Sequence, residues 1–417
     1  MVVLLAAAMP VRIPVSVPLI NSVSVLDILL CLVALTLALD CAYHPPDIGP
    51  PRLFALLCIP AVVCGLSVVW SQDRAATLRA TVIYVEGVVA YLFVIRELAA
   101  VSPARVMTYI KRYSYLVIVP AVLLLMHTPG FAPEDAGLSP TSASYLSYYT
   151  RLSHPVLGRS NNLATVLAFF VPILLFWGHR HHDRRFTRAG FVALLAVTFT
   201  LSRGVLLALL VVGVLSATGN ILRRRGVDHR AVGKAAVLGF ATVAGLALLR
   251  QFNPDTRLFF DSRFNLANVA LRSDLLRAGV GKIANRPVLG YGGGVTPDHD
   301  PSLALGVHNS FLQQAVYFGP LLGLVVSLCL VGTAGFFFSR SGRNQVARAI
   351  GFTLVAQLLI FTTESSFEGT VLRVLFYMSV ALAAALIRSP DAQRGAADRT
   401  ATAMQRTGTQ RVRCAPR

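Results

Sequence analysis

Apolar runs long enough to cross a bilayer recur from one end of this chain to the other, and no other feature restricts its fold as strongly. They occupy roughly residues 22–41, 52–70, 79–97, 107–127, 160–178, 187–202, 204–222, 231–249, 307–338, 349–363 and 370–387. Each has, or nearly has, the length needed to span a hydrocarbon core of about 30 Å. A twelfth run covers residues 2–20, where Pro10, Pro14 and Pro18 oppose a regular helix. Charged residues make up 14% of the sequence, against about 25% in soluble domains, and they collect between the runs. The sequence therefore specifies an all-α polytopic membrane protein of about 12 spans, 11 of them clear. A cytosolic enzyme and a secreted disulfide scaffold are excluded.

The net charge, 38 − 19 = +19, follows from topology. A nucleic-acid-binding domain would gather its basic residues into one groove-facing patch, whereas here they alternate along the chain. Arg96, Arg105, Lys111 and Arg112 fall on one side, with Arg180, Arg184, Arg185 and Arg188, then Arg223, Arg224, Arg225 and Arg230, then Arg340, Arg343 and Arg348. Short cytoplasmic loops are rich in Lys and Arg, so this side is the cytoplasm and both termini are expected there. The chain divides into N-terminal helices with a first outer loop (1–149), a second helical unit (150–388) and a basic tail (389–417). The tail has the composition of a disordered, lipid-attracted segment.

Two long loops, 128–159 and 250–306, lie on the periplasmic face. The second breaks the charge rule with Arg250, Arg257, Arg263, Arg272, Arg277, Lys282 and Arg286, which points to an anionic ligand. Apolar residues at Leu266, Val269, Leu271, Leu275, Leu276, Val280 and Ile283 give helical spacing over 264–284, so an amphipathic helix is expected on the outer surface. Asn285-Arg286-Pro287 ends it, and Gly290, Gly292, Gly293 and Gly294 form a turn. The six cysteines include no C-x-x-C pair, so neither a metal knuckle nor an external disulfide is indicated.

Four short constellations fall at the outer ends of these runs: Gly158-Arg159-Ser160-Asn161-Asn162; Leu201-Ser202-Arg203-Gly204; Arg272 through Pro287-Val288-Leu289-Gly290-Tyr291-Gly292; and His308-Asn309-Ser310-Phe311-Leu312 followed by Gly319-Pro320-Leu321-Leu322-Gly323. In order and spacing they resemble the O-antigen ligase and polysaccharide polymerase family of bacterial envelopes, over about residues 150–330. The turn Trp70-Ser71-Gln72-Asp73 looks similar further upstream. One departure stands out: where many members carry an acidic residue, two positions before Gly319, this chain has Tyr317.

The resemblance implies a membrane fold akin to lipid-linked-sugar transferases. It implies a glycan donor on a polyprenyl diphosphate, and an acceptor that is either a lipid core (ligase) or another lipid-linked glycan (polymerase). Membrane lipid is the remaining partner, and no cofactor is implied. A transporter or flippase is the reading from a different class, with Glu86 of the Tyr84-Val85-Glu86-Gly87 stretch as its one deep charge.

Arg203 and Arg272 then hold the diphosphate, since a planar five-donor fork suits it. Arg286 with Gly290 and Gly292 is placed to add to that site as a backbone nest or to form a plain turn. His308 is the family's catalytic position and a suitable general base, with Asn309, Asn161 and Asn162 supporting. Against these readings stand a snorkelling Arg203, a solvated face for Arg272 and an interfacial anchor for His308. Asp298-His299-Asp300 has the form of a metal-holding pair, but the resemblance does not extend to it, and metal independence is expected.

A reporter active only in the periplasm, fused at Asp300, is expected to give signal, and the same reporter on the C-terminus none. The reverse pattern would invert the map.

Overall fold

The computed structural model describes residues 12–17, 20–41, 48–98, 101–127, 160–200, 202–223, 266–295, 309–340, 345–363 and 370–388. A short strand pair, β1 (Arg12–Val17) and β2 (Ile20–Ser24), precedes the helices. Among the described residues these are α1 (Val25–Cys41), α2 (Pro51–Leu66), α3 (Arg74–Leu98), α4 (Pro103–His127), α5 (Ser160–Arg180), α6 (Arg184–Thr200), α7 (Arg203–Arg223), α8 (Leu266–Asn285), α9 (Ser310–Arg340), α10 (Gln345–Thr363) and α11 (Thr370–Arg388). All but α8 coincide with apolar runs of the sequence, and α8 is the expected amphipathic helix. The run at 231–249, loop 128–159 and tail 389–417 lie outside the described residues.

Six of these helices, α2, α3, α4, α5, α9 and α10, contain stretches long and apolar enough to cross a membrane, and α1, α7 and α11 contain shorter apolar stretches. The architecture is that of a polytopic membrane protein.

Residues 12–24 depart from the expected twelfth span. β1 and β2 pair antiparallel, with Arg12 opposite Ser24, Ile13 opposite Val23 and Val17 opposite Ile20. Pro14, opposite Ser22, has no N–H to give a ladder and is tolerated because both strands of a two-stranded sheet are edges. Two prolines four residues apart would each remove a helical donor and crowd the preceding turn, so the apolar content here is not spent on a helix.

Close helix crossings are set by small residues, as is usual where lipid supplies no hydrophobic drive between helices. Between α5 and α6, Gly178 faces Thr187 and Gly190 faces Leu175. A tight turn joins these two helices, with His182 at φ 52° and the Asp183 carboxylate accepting from the Arg185 N–H at 2.8 Å. Between α3 and α11, a β-carbon on Gly87 would lie 2.8 Å from the Tyr377 ring. The Tyr377 hydroxyl donates to the Leu57 carbonyl at 3.0 Å, tying in α2. Glu86 is buried beside this crossing, and Arg96 of α3 pairs with Asp40 of α1.

If the nine apolar helices, α6 and the run at 231–249 all cross, and residues 2–20 add no crossing, the crossings number eleven, which is odd. An epitope tag on the N-terminus is then expected on the periplasmic side, opposite the tail. Accessibility of that tag to antibody in intact spheroplasts checks this, and a tag reached only after permeabilisation would restore the twelfth span.

Candidate functional site

The outer motifs gather at one end of the bundle, and a broken helix organises them. Gly319, inside α9, has φ 76° and ψ 163°, a region open essentially to glycine. Pro320 follows it and has no N–H. The Val316 carbonyl, four residues before Pro320, is thereby deprived of its helical donor. The Tyr291 N–H supplies one at 3.2 Å, and the Gly292 N–H donates to the Tyr317 carbonyl at 2.8 Å. The glycine turn after α8 thus docks through two backbone hydrogen bonds on the break in α9.

The turn has little room for side chains. A β-carbon on Gly290 would lie 2.5 Å from the Tyr317 carbonyl oxygen, one on Gly292 would strike Ser71, and one on Gly319 would strike the Val288 carbonyl. The other wall is the turn between α2 and α3. The Trp70 indole N–H donates to the Leu289 carbonyl at 2.6 Å, the Gln72 N–H to the Tyr291 carbonyl at 3.1 Å, and the Gly293 N–H to the Ser67 hydroxyl at 3.1 Å. Asp73 caps α3 by accepting from the Ala76 N–H at 2.9 Å. These glycines serve close packing. The N–H groups of Tyr291 and Gly292 are bonded to carbonyls of α9, so the anion nest considered from the sequence is not what they form.

Asn309 caps the N-terminal end of α9, its side-chain oxygen accepting from the Phe311 and Leu312 N–H groups at 3.0 Å each. That oxygen is therefore engaged by the backbone. His308, one residue earlier, lies outside the described residues, as do Asp298, His299 and Asp300. Below the cap, the Tyr84 hydroxyl donates to Gln314 at 3.0 Å, and the buried Arg373 guanidinium stacks 3.9 Å from the Tyr84 ring centroid. Sequence reasoning passed over Arg373, and an arginine three residues into an apolar helix was the available signal.

A second cluster forms where α7 begins and α10 ends. Arg203, exposed, is the first residue of α7. A β-carbon on the adjacent Gly204 would strike the Thr363 hydroxyl, and the Arg272 guanidinium donates to the Thr363 carbonyl at 3.3 Å. The two arginines, 69 residues apart in sequence (272 − 203), therefore border the same helix end.

Arg286 does not join them. It is separated from Arg272 by 14 residues (286 − 272), about 21 Å along a helix axis, and stacks 5.2 Å from the Tyr291 ring centroid. The three-arginine site expected from the sequence is divided by the length of α8. Asn161 and Asn162 lie in the first turn of α5, half-buried.

Residues 188–328 match the family model described as O-Antigen ligase, a stretch running from α6 into α9 that contains Arg203, Arg272, Arg286, the glycine turn, His308 and Asn309. The motifs at the outer ends of the spans and the matched model thus name the same family. No curated protein matches the chain.

Replacing Gly319 by Ala is expected to cost about 1–3 kcal/mol from the backbone alone, with the clash against Val288 added. Gly335, in the same helix with open space around it, is expected to tolerate Ala or gain from it. Thermal unfolding in detergent checks the contrast, and equal melting temperatures would remove the strain assigned to the break.

Proposed function

With an O-antigen ligase match over residues 188–328 as the premise, we propose that this protein is a membrane glycan transferase. It passes a glycan from a polyprenyl-diphosphate carrier to a sugar hydroxyl of a lipid-core acceptor at the periplasmic face of the inner membrane. The observation that carries this is that the Arg272 guanidinium and the start of α7, where Arg203 stands beside Gly204, both border Thr363.

A diphosphate ester is a weakly basic leaving group and demands no general acid. Guanidinium charges stabilise the negative charge that develops as the anomeric bond breaks. The remaining demand is for a base to take the proton of the attacking hydroxyl, and His308 fills that role. It directly precedes in sequence Asn309, the cap of α9. Attack opposite the diphosphate inverts the anomeric centre. The arginines take the place of a divalent ion, so the reaction needs no metal.

Purified protein with lipid-linked donor and acceptor tests the assignment. His308→Ala is expected to lower turnover by about 10²–10⁴-fold with donor binding retained. Arg203→Lys and Arg272→Lys are expected to weaken donor binding, because an ammonium keeps the charge and loses the fork. Chelator is expected to leave the rate unchanged. Near-normal turnover by His308→Ala would return that histidine to an interfacial anchor, and loss of activity in chelator, restored by Mg²⁺, would promote Asp298 and Asp300. In a deletion strain, long glycans stranded on the carrier mark a ligase and single repeats mark the polymerase reading. Glycans trapped inside mark a flippase.

A further inference from the structure

Between the turn after α2 and the turn after α8 lies a recess lined by Trp70, Arg286, Pro287, Val288, Leu289 and Gly290. Its apolar members are unusually bare: Val288 is 72% exposed and Leu289 44%. The surfaces that continue from it are equally bare. Leu66 and Val69 border Trp70 on one side, and Leu321, Leu324 and Leu328 run down α9 on the other, all more than half exposed. Those two faces belong to helices long and apolar enough to span the membrane, so the recess is the upper rim of a lipid-facing surface.

Its polar end has the opposite character. Arg286 is half-buried, held against the Tyr291 ring, and about 21 Å along α8 from the Arg203 and Arg272 pair. α8 itself presents Leu276 and Val280 outward (39% and 57% exposed) while Leu275 is buried. The helix beside the recess therefore has apolar surface on both sides. A bare apolar floor open to acyl chains, an indole at the rim and a fixed guanidinium above it are complementary to one kind of ligand, a lipid carrying a negative phosphate.

We propose that this recess binds an anionic phospholipid of the surrounding leaflet, with its phosphate on Arg286 and its chain along Val288 and Leu289. The site is distinct from that of the glycan donor and does not depend on the transfer reaction.

The sequence contains two tryptophans, Trp70 and Trp177, and Trp177→Phe leaves Trp70 as a reporter in the recess. The full-length variant is reconstituted into phosphatidylcholine vesicles doped, at equal mole fraction, with brominated phosphatidylglycerol or brominated phosphatidylcholine. One guanidinium at the surface is expected to enrich the anionic lipid about fivefold, so Trp70 is quenched more by brominated phosphatidylglycerol. Arg286→Gln is expected to bring the two lipids to parity. Arg277→Gln, on the same helix and pointing to solvent with Asp274, is expected to leave the preference intact. Val288→Gln, at a side chain that packing does not constrain, is expected to reduce quenching by both lipids. Equal quenching in the parent, a preference that persists in Arg286→Gln, or one abolished by Arg277→Gln would each overturn the site.

Discussion

A bilayer offers no water to an unmade backbone hydrogen bond, so a helix can break within it only where another segment takes over the freed groups. The break at Gly319 and Pro320 imposes that requirement, and the turn at 290–292 meets it. Much of the outer architecture follows. The turn can reach the Val316 and Tyr317 carbonyls only with glycine at the points of contact. Its outer edge is then free to be held by Trp70, Ser67 and Gln72. α8, which delivers the turn, is fixed at its C-terminal end by this docking and near its N-terminal end by Arg272 on Thr363. It becomes a strut across the end of the bundle.

The strut separates two chemistries that sit close together in sequence. At one pole Arg272 and the start of α7, at Arg203 and Gly204, border the end of α10. At the other, Arg286 lies among aromatic and aliphatic side chains. The backbone N–H groups of Tyr291 and Gly292 are occupied, so an anion at the glycine turn would be met there chiefly by side chains.

The helices within the apolar runs were legible because hydropathy over about twenty residues has little competition from local structure, and α8 was legible to within two residues because its apolar spacing and its Asn-Arg-Pro stop agree. The strand pair at 12–24 was not, although Pro14 and Pro18 already argued against a helix. Partners in the glycine turn could not be read, since they depend on which carbonyls a distant proline releases. Arg286 is a different case. The rise of a helix, applied to fourteen residues, separates it from Arg272 without any structure. The relay of Arg373, Tyr84 and Gln314 joins three helices far apart in sequence, and no local pattern announces that.

The outward leucine and valine of α8, with Val288 above Leu321 and Val69, also bear on how the molecule sits in its solvent. Its apolar girdle is not level, because on the side of α2 and α9 it climbs past the ends of the spans onto the outer helix. A bilayer of even thickness cannot match such a girdle all round, and mismatch is relieved by local thickening or by tilt. A lean toward that side would bury the strut's outer face and lift the other end of the strut, where α7 begins and α10 ends. The arginine pair would then stand higher in the headgroup layer than the span lengths alone suggest.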